Sequence, residues 1–352
     1  MLPFIPEIIT SPTPDILTMN VYIKQFPELM KGKTILYVHG FGSSGQSGTV
    51  TRIREVLPET TVVAPDLPLH PQEALDLLRD TCSTAKPHLI IGTSMGGMFA
   101  EMLYGYDRIL INPAFQIADT MQKHGLTGKQ QFFSPRRDGQ QEFYVDKVIV
   151  KEYRSITEGN FAQADNSDEQ HRVYGLFGDK DELVDTFSIF PYYQRIPFHG
   201  EHRMNDHSFM HSVVPVIRWI DDRQENRERP IIYIGTETMM QPDGQPRPSM
   251  QKVVRLLIES YQVYFVSFDM TADDNILLKN MLTEYIGVPA WGHTVFTNQR
   301  HLLYGDYFIQ GQTQRRWPDH EPDPMATPIE FGSDTFKTWD DIYAYFSRLG
   351  GQ

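Results

Sequence analysis

The sequence predicts an α/β protein: a parallel sheet with helices on both faces, followed by a second, smaller Rossmann-like α/β unit. Three observations carry that expectation. Short β-branched runs alternate with amphipathic stretches from Thr34 onward, as in successive βαβ units. The runs are apolar nearly throughout, which suits strands covered by helices on both faces. The alternation restarts after a strongly polar stretch ending at Pro230, and 352 residues exceed what one hydrophobic core usually serves.

Taken in order, ILYVHG from Ile35, TVVAPDLP from Thr61, LIIGTSMGG from Leu89 and RILINPA from Arg108 read as strands with the turns that follow them. A helix is expected over Gln72–Cys82, with Ala74, Leu75, Leu77 and Leu78 on its inner side. From Phe115 to Gln170 the rhythm breaks, with Gly, Gln and charge scattered among aromatics, and the segment reads as a lid or a loop excursion. RVYGLFG then restores a strand, followed by the acidic loop DKDELVD, and RIPF gives a last short strand. Ser208–Gln224 reads as a closing helix, with Phe209, Val213, Val216, Ile217 and Ile220 at helical spacing and a kink expected at Pro215. The polar run Asp221–Pro230 is the candidate linker, dividing the chain into residues 1–225 and 226–352. Beyond it PIIYIG and VYFVSF read as strands, and Met250–Ser260 and TWDDIYAYFSRLG as helices.

Composition narrows the function classes. A formal net charge of −13 repels a phosphate backbone, and no Lys/Arg cluster is dense enough to overturn that, so nucleic acid is not an expected partner. Cys82 is the only cysteine, which excludes an intrachain disulfide or a thiolate metal cage and suits a reducing compartment. It reads as a small buried hydrophobe on its helix. The opening stretch MLPFIPEIITSPTPDIL lacks a basic lead and is broken by Pro3, Pro6, Pro12 and Pro14, unlike a secretory leader. No run is long and apolar enough to span a bilayer, so the expectation is a soluble cytoplasmic protein without membrane partners. The oligomeric state is not legible.

The strongest chemical signal is Gly92-Thr93-Ser94-Met95-Gly96, set between the apolar strand HLII and a helix starting at Met95. Such a turn lifts the serine hydroxyl above the sheet and places it at a helix N-terminus, with glycines where a side chain would strike the neighbouring backbone. A serine hydroxyl is a weak nucleophile at neutral pH, so it needs a histidine base and an acid to orient that base. Asp181 stands where the acid is expected, with Asp179 and Asp185 as alternatives; His202 is the base, with His207 and His211 as alternatives. The glycine-rich loop His39-Gly40-Phe41-Gly42 follows the first strand, where a second oxyanion donor is needed. The expected donors are the N–H groups of Phe41 and Met95, with His39, Gly40 and Gly42 shaping the substrate loop. No cofactor or metal is required.

ILYVHGFGSSGQSGT, the spacing to APDLP, IIGTSMGG and ILINPA together resemble the YqiA-type bacterial esterases, a compact branch of the α/β-hydrolase superfamily. The likeness spans roughly residues 32–222 and is specific at the two glycine loops and at Asn112-Pro113-Ala114. It implies cofactor-free hydrolysis of a small acyl ester or thioester. The family's acid motif aligns on Asp181-Glu182-Leu183-Val184-Asp185, favouring Asp181 over Asp179, and its Gly-x-His on Gly200-Glu201-His202.

Residues 229–352 resemble a haloacid-dehalogenase-type phosphatase of the deoxyribonucleotidase branch, through TNQRHLLYGDYFIQ and TPIEFGSDTFKTWDDIYAYF. That chemistry needs an aspartate nucleophile with a second acid two residues on. Here Gly235 holds the nucleophile's place and Glu237 follows, Asp306 keeps one metal carboxylate, Gln310 replaces the next, and Ser267 and Arg300 stand where phosphate would be touched. The resemblance therefore implies a pseudophosphatase that is structural or binds a ligand or partner. Two rival readings stay open at this point: a Mg-dependent nucleotide phosphatase using Glu237 or Asp306, and a non-catalytic binding protein.

Overall fold

The computed structural model describes residues 23–268, 271–297, 299–311 and 324–349. The proline-broken opening stretch, Asn298 and the segment 312–323 lie outside the described residues.

The first half builds β1 (Thr34–Val38), α1 (Gly48–Val56), β2 (Thr61–Val63), α2 (Pro71–Ala85), β3 (Leu89–Thr93), α3 (Met95–Glu101) and β4 (Arg108–Ile111). It continues with α4 (Ile117–Lys123), β5 (Gly128–Gln131), β6 (Glu142–Val145), α5 (Lys147–Thr157), α6 (Ser167–Gln170), β7 (Val173–Gly178) and β8 (Gln194–Phe198). Among the described residues six of these strands form a wholly parallel sheet in the order β2-β1-β3-β4-β7-β8. This is the parallel α/β arrangement that the alternating runs predict, with β3 near the centre. The near-continuous apolar runs serve two cores at once, because successive side chains of a strand point to opposite faces. Leu36, Val38 and Ile90 join α2, α3 and α5 on one face. Ile35, Tyr37 and Ile91 join α1 and the closing helix on the other. On α2, Ala74, Leu75, Leu78 and Cys82 are buried as their spacing requires, while Leu77 is half-buried at the edge of that stripe.

The segment expected as a lid or loop excursion is instead largely regular structure. It contains α4, the antiparallel β5–β6 hairpin and the amphipathic α5, whose Ile149, Val150 and Tyr153 enter the first core. Asp146 caps α5 by accepting the N–H groups of Val148 and Ile149 at 2.9 Å, which satisfies two donors that a helix start leaves open.

The closing helix is broken as Pro215 demands, but by a widened turn. After α7 (Asp206–Ser208), residues Phe209–Val213 form one π-helical turn before α8 (Val214–Gln224). The Val214 N–H reaches back to the Phe209 carbonyl; the wider turn accommodates a ring that has no N–H and would strike the carbonyl four residues back in a regular helix.

The second half comprises β9 (Ile231–Gly235), α9 (Met250–Ser260), β10 (Gln262–Ser267), α10 (Ala272–Tyr285), β11 (Thr294–Phe296), β12 (Tyr304–Gly311), β13 (Met325–Phe331) and α11 (Trp339–Leu349). Its five described strands form a second parallel sheet, ordered β11-β10-β9-β12-β13, the open α/β pattern that winds outward from its first strand. The polar run between the sheets is not a loose tether. Lys33 bonds Asp221 at 2.7 Å with both side chains nearly buried, Arg227 bonds Asp221 at 3.1 Å and Asp222 at 2.7 Å, and Arg229 bonds Asp222 at 2.5 Å. Val288, from the second half, packs into the α8 side of the first sheet's core. No helix among the described residues is long and apolar enough to cross a membrane.

Candidate active site

Ser94 sits in the turn between β3 and α3 with φ 56° and ψ −120°, a conformation that side chains rarely adopt. The flanking glycines are required by contact. A Cβ on Gly96 would lie 2.0 Å from the Val38 carbonyl oxygen, and one on Gly92 would lie 2.3 Å from that of Gly96. The turn is therefore tight because β1, β3 and α3 pass with no room between them. Bonds from the N–H groups of Gly97, at 2.9 Å, and Ala114, at 3.0 Å, to the Ser94 carbonyl hold the backbone in place.

Strand β7 delivers Asp181 and β8 delivers His202. Asp181 Oδ1 accepts the N–H groups of Leu183 and Val184 at 2.9 Å, and its Oδ2 lies 2.7 Å from His202 Nδ1. The other ring nitrogen, Nε2, lies 3.0 Å from Ser94 Oγ. A carboxylate can only accept, so Nδ1 donates to Asp181 and Nε2 is left to accept the serine proton. Asp181 is 3% exposed at its side chain and His202 17%, so the acid is shielded while the imidazole can meet a substrate.

The alternatives are engaged elsewhere. Asp179 faces His199 Nδ1 at 2.9 Å and accepts the Gly200 N–H at 3.0 Å; Asp185 is exposed. His207 and His211 lie edge to face, and His211 Nε2 accepts from Arg255 at 2.8 Å, with burial lowering its pKa to about 4.

The loop after β1 approaches Ser94 closely: a Cβ on Gly40 would lie 3.3 Å from the Ser94 Cβ. Gly42 has φ 69°, and the Phe133 ring covers the place where its Cβ would stand. His39 is buried between two loops, donating from Nδ1 to the Gly40 carbonyl and accepting the Leu67 N–H at Nε2. Desolvation brings its pKa down to about 4, so it is a neutral brace. Beside this loop is a cavity of about 110 Å³, lined by Phe41, Met95, Phe132, Phe143 and Tyr153 among others. His39 and Gly42 also line it, whereas Gly40 is set against the serine. The Met95 N–H opens α3, where helical geometry provides no internal acceptor.

A family model for an uncharacterised protein family, UPF0227, matches residues 34–218, more than half of the chain. The chain belongs to this family. Among solved structures it is similar to an esterase domain from Rhodothermus marinus at 14% identity, covering 50% of this chain and 78% of that one, with a TM-score of 0.30. An extracellular α/β-hydrolase from a Paenibacillus species is 10% identical, with 50% and 96% covered and a TM-score of 0.30. A methylesterase from Arabidopsis is 10% identical, with 55% and 99% covered and a TM-score of 0.30.

Two features of the UPF0227 site were not read from the sequence. Asn112, at the end of β4 with φ 44°, accepts the Gly178 N–H at 2.7 Å and donates to the carbonyls of Glu201 and His202 at 3.0 and 3.1 Å. It ties the acid's strand to the histidine's loop. The Asn112-Pro113-Ala114 motif was visible, but its bonds reach residues far away in the chain. The second feature is the β5–β6 hairpin as a roof. Phe133 N–H donates to the Gly42 carbonyl at 2.7 Å, Arg137 N–H to Asp66 at 2.8 Å and Ser44 Oγ to the Pro135 carbonyl at 2.7 Å.

Outside the matched region, one expectation is corrected. Asp306 does not stand at the end of the second sheet where Gly235 lies: it accepts the Ile231 N–H at 2.8 Å, at the opposite, opening edge of β9. Four residues of strand, roughly 13 Å, separate it from Gln310. At the Gly235 end, the Glu237 carboxylate folds over the glycine, 2.4 Å from where a Cβ would be, and accepts the Gly311 N–H at 3.0 Å. Arg300 bonds Gln310 and lies over the Phe268 and Phe308 rings, and Ser267 ends β10. No group of three His, Cys, Asp or Glu side chains among the described residues is placed to hold a metal.

Proposed function

We propose that residues 1–225 form a serine hydrolase acting on a small acyl ester or thioester, with residues 226–352 a separate unit that takes no part in the chemistry. The observation that supports this reading is the continuous relay from Asp181 through His202 to Ser94, with bonds of 2.7 and 3.0 Å. Ser94 Oγ attacks the acyl carbon while His202 Nε2 takes its proton, and Asp181 steadies the resulting imidazolium. The charge gathering on the carbonyl oxygen is met by the N–H groups of Phe41 and Met95. Collapse breaks the bond to the alcohol or thiol, which leaves with the proton from His202. Water, deprotonated by the same imidazole, then releases the acid and restores Ser94.

The 110 Å³ cavity is small beside the several hundred Å³ typical of drug-sized sites, which favours short acyl groups. The phosphatase reading finds less support, since Gly235 offers no nucleophile and Glu237 is bonded to Gly311. The test is hydrolysis of p-nitrophenyl esters of increasing acyl length by the full chain and by Ser94→Ala. We expect turnover of the shortest esters, falling with chain length, and a loss of roughly 10³-fold or more in the variant. Equal activity in the variant, or no fluorophosphonate labelling of the unmodified chain, would overturn the reading.

A further inference from the structure

A second cavity, of about 570 Å³, opens where the two sheets meet. It lies at the opening ends of β7, β8 and β10, through Tyr174, Gln194, Gln262 and Val263. Ser94 follows the closing end of β3, so the cavity is on the far side of the first sheet from the serine. Its volume is that of a small-molecule site, and junctions between units are where such sites recur.

Its lining is chemically distinct from the rest of this acidic chain. Arg218, Arg223, Arg227 and Arg229 line it against only two acidic residues, Asp222 and Glu228. Three of those arginines are committed: Arg223 to Asp107, Arg227 to Asp221 and Asp222, and Arg229 to Asp222. Arg218 is different. It is 7% exposed, and no carboxylate forms an ion pair with it among the described residues. Its contacts are one long bond to the Ile258 carbonyl, at 3.4 Å, and the Phe26 ring at 5.1 Å. Glu259, Asp222 and Asp221 act on it from farther away. A guanidinium has five donors, and burying one without a bonded anion is costly. The lining is also aromatic: Trp219 stacks on His293 at 5.0 Å, and Trp291 and Tyr261 join them.

We infer that this junction cavity binds a small anion carrying a planar ring, its charge on Arg218 and its ring against Trp219 and Trp291. Guanidinium bonding to carboxylate or phosphate and ring stacking on tryptophan are the two recognitions the walls offer together. A nucleoside monophosphate and an aromatic carboxylate both have that chemistry, and binding distinguishes them.

The test titrates the full chain with adenosine monophosphate and, separately, with indole-3-acetate, following melting temperature and tryptophan fluorescence. Adenosine and orthophosphate serve as probes with only the ring or only the charge. One of the two complete ligands should raise the melting temperature by roughly 4 °C at a hundredfold excess over Kd. Its affinity should fall at least tenfold in Arg218→Met and in Trp291→Ala. Trp291 is 36% exposed, so that variant reports even if the buried arginine cannot be replaced without unfolding. Binding should persist in Ser94→Ala. No binding by either ligand, affinity unchanged in Trp291→Ala, or equal binding of orthophosphate or adenosine would each overturn the inference.

Discussion

Ser94 holds a backbone conformation that costs a non-glycine residue roughly 1–3 kcal/mol. Replacing it with glycine removes that strain but adds unfolded-chain entropy, so Ser94→Gly should exceed Ser94→Ala in stability by about 1 kcal/mol in urea melts while neither hydrolyses ester. Equal melts would show that the strain at the turn does not exceed the entropy that glycine adds to the unfolded chain. Asn112 acts through its neighbours. Asn112→Ala removes both bonds to the His202 loop, and we expect kcat to fall on the order of 10–100-fold with KM nearly unchanged. Asp179→Asn, one loop residue from the acid yet paired with His199, should stay within about twofold of the parent, since an exposed pair of this kind contributes little. That Ser94, Asp181 and His202 would come together was legible because a strand-turn-helix signature and two strand-end loops restrict where their side chains can meet. Asn112 was not, because its partners are set by how three strands end together. Asp306 was misread for the same reason: sequence spacing does not reveal at which end of its strand a carboxylate stands.

Tight passage of elements around the serine makes Gly96 the most constrained position on α3. A methyl group there meets the Val38 carbonyl, part of the backbone, so Gly96→Ala should cost more than 3 kcal/mol or yield no soluble protein. Gly48, first in α1 with nothing within 4 Å of its missing Cβ, makes the opposite case: Gly48→Ala should stabilise by about 0.5–1 kcal/mol. The six strands of the first sheet, and β9 and β10 of the second, were readable as apolar runs, whereas β11, β12 and β13 were not; Met250–Ser260 appears with the bounds its periodicity indicated. The Phe115–Gln170 stretch was underread for two reasons. Its hairpin begins with Gly128-Lys129-Gln130-Gln131, a strand without alternation or β-branched residues. Its α5, by contrast, carries the Asp146 cap and an apolar stripe, a signal obscured by the surrounding polar residues.

Across the whole molecule, acid sensitivity follows from buried neutral histidines. Burial keeps the folded pKa of His39 near 4, below its ordinary 6.5, so the unfolded chain binds more protons between those values. Stability is therefore fully present above pH 6.5 and declines as pH falls toward 4, by up to about 3 kcal/mol from this group. Urea melts at pH 7 and 4.5 should show the loss, and His39→Gln should flatten it. At the junction, Asp221→Ala removes the most buried acceptor of Lys33, which keeps Glu225 at 2.6 Å, and should cost about 1.5–3 kcal/mol. The polar composition of Asp221–Pro230 was visible in the sequence; its use as a set of paired charges was not, because Lys33 lies 188 residues away in the chain. A seam made partly of such pairs has its own response to ionic strength. Salt screens its outer members, Arg227 among them, over about 8 Å at physiological concentration, yet the serine relay is shielded on the other side of the first sheet. Raising salt should loosen the grip of one half on the other well before it alters turnover.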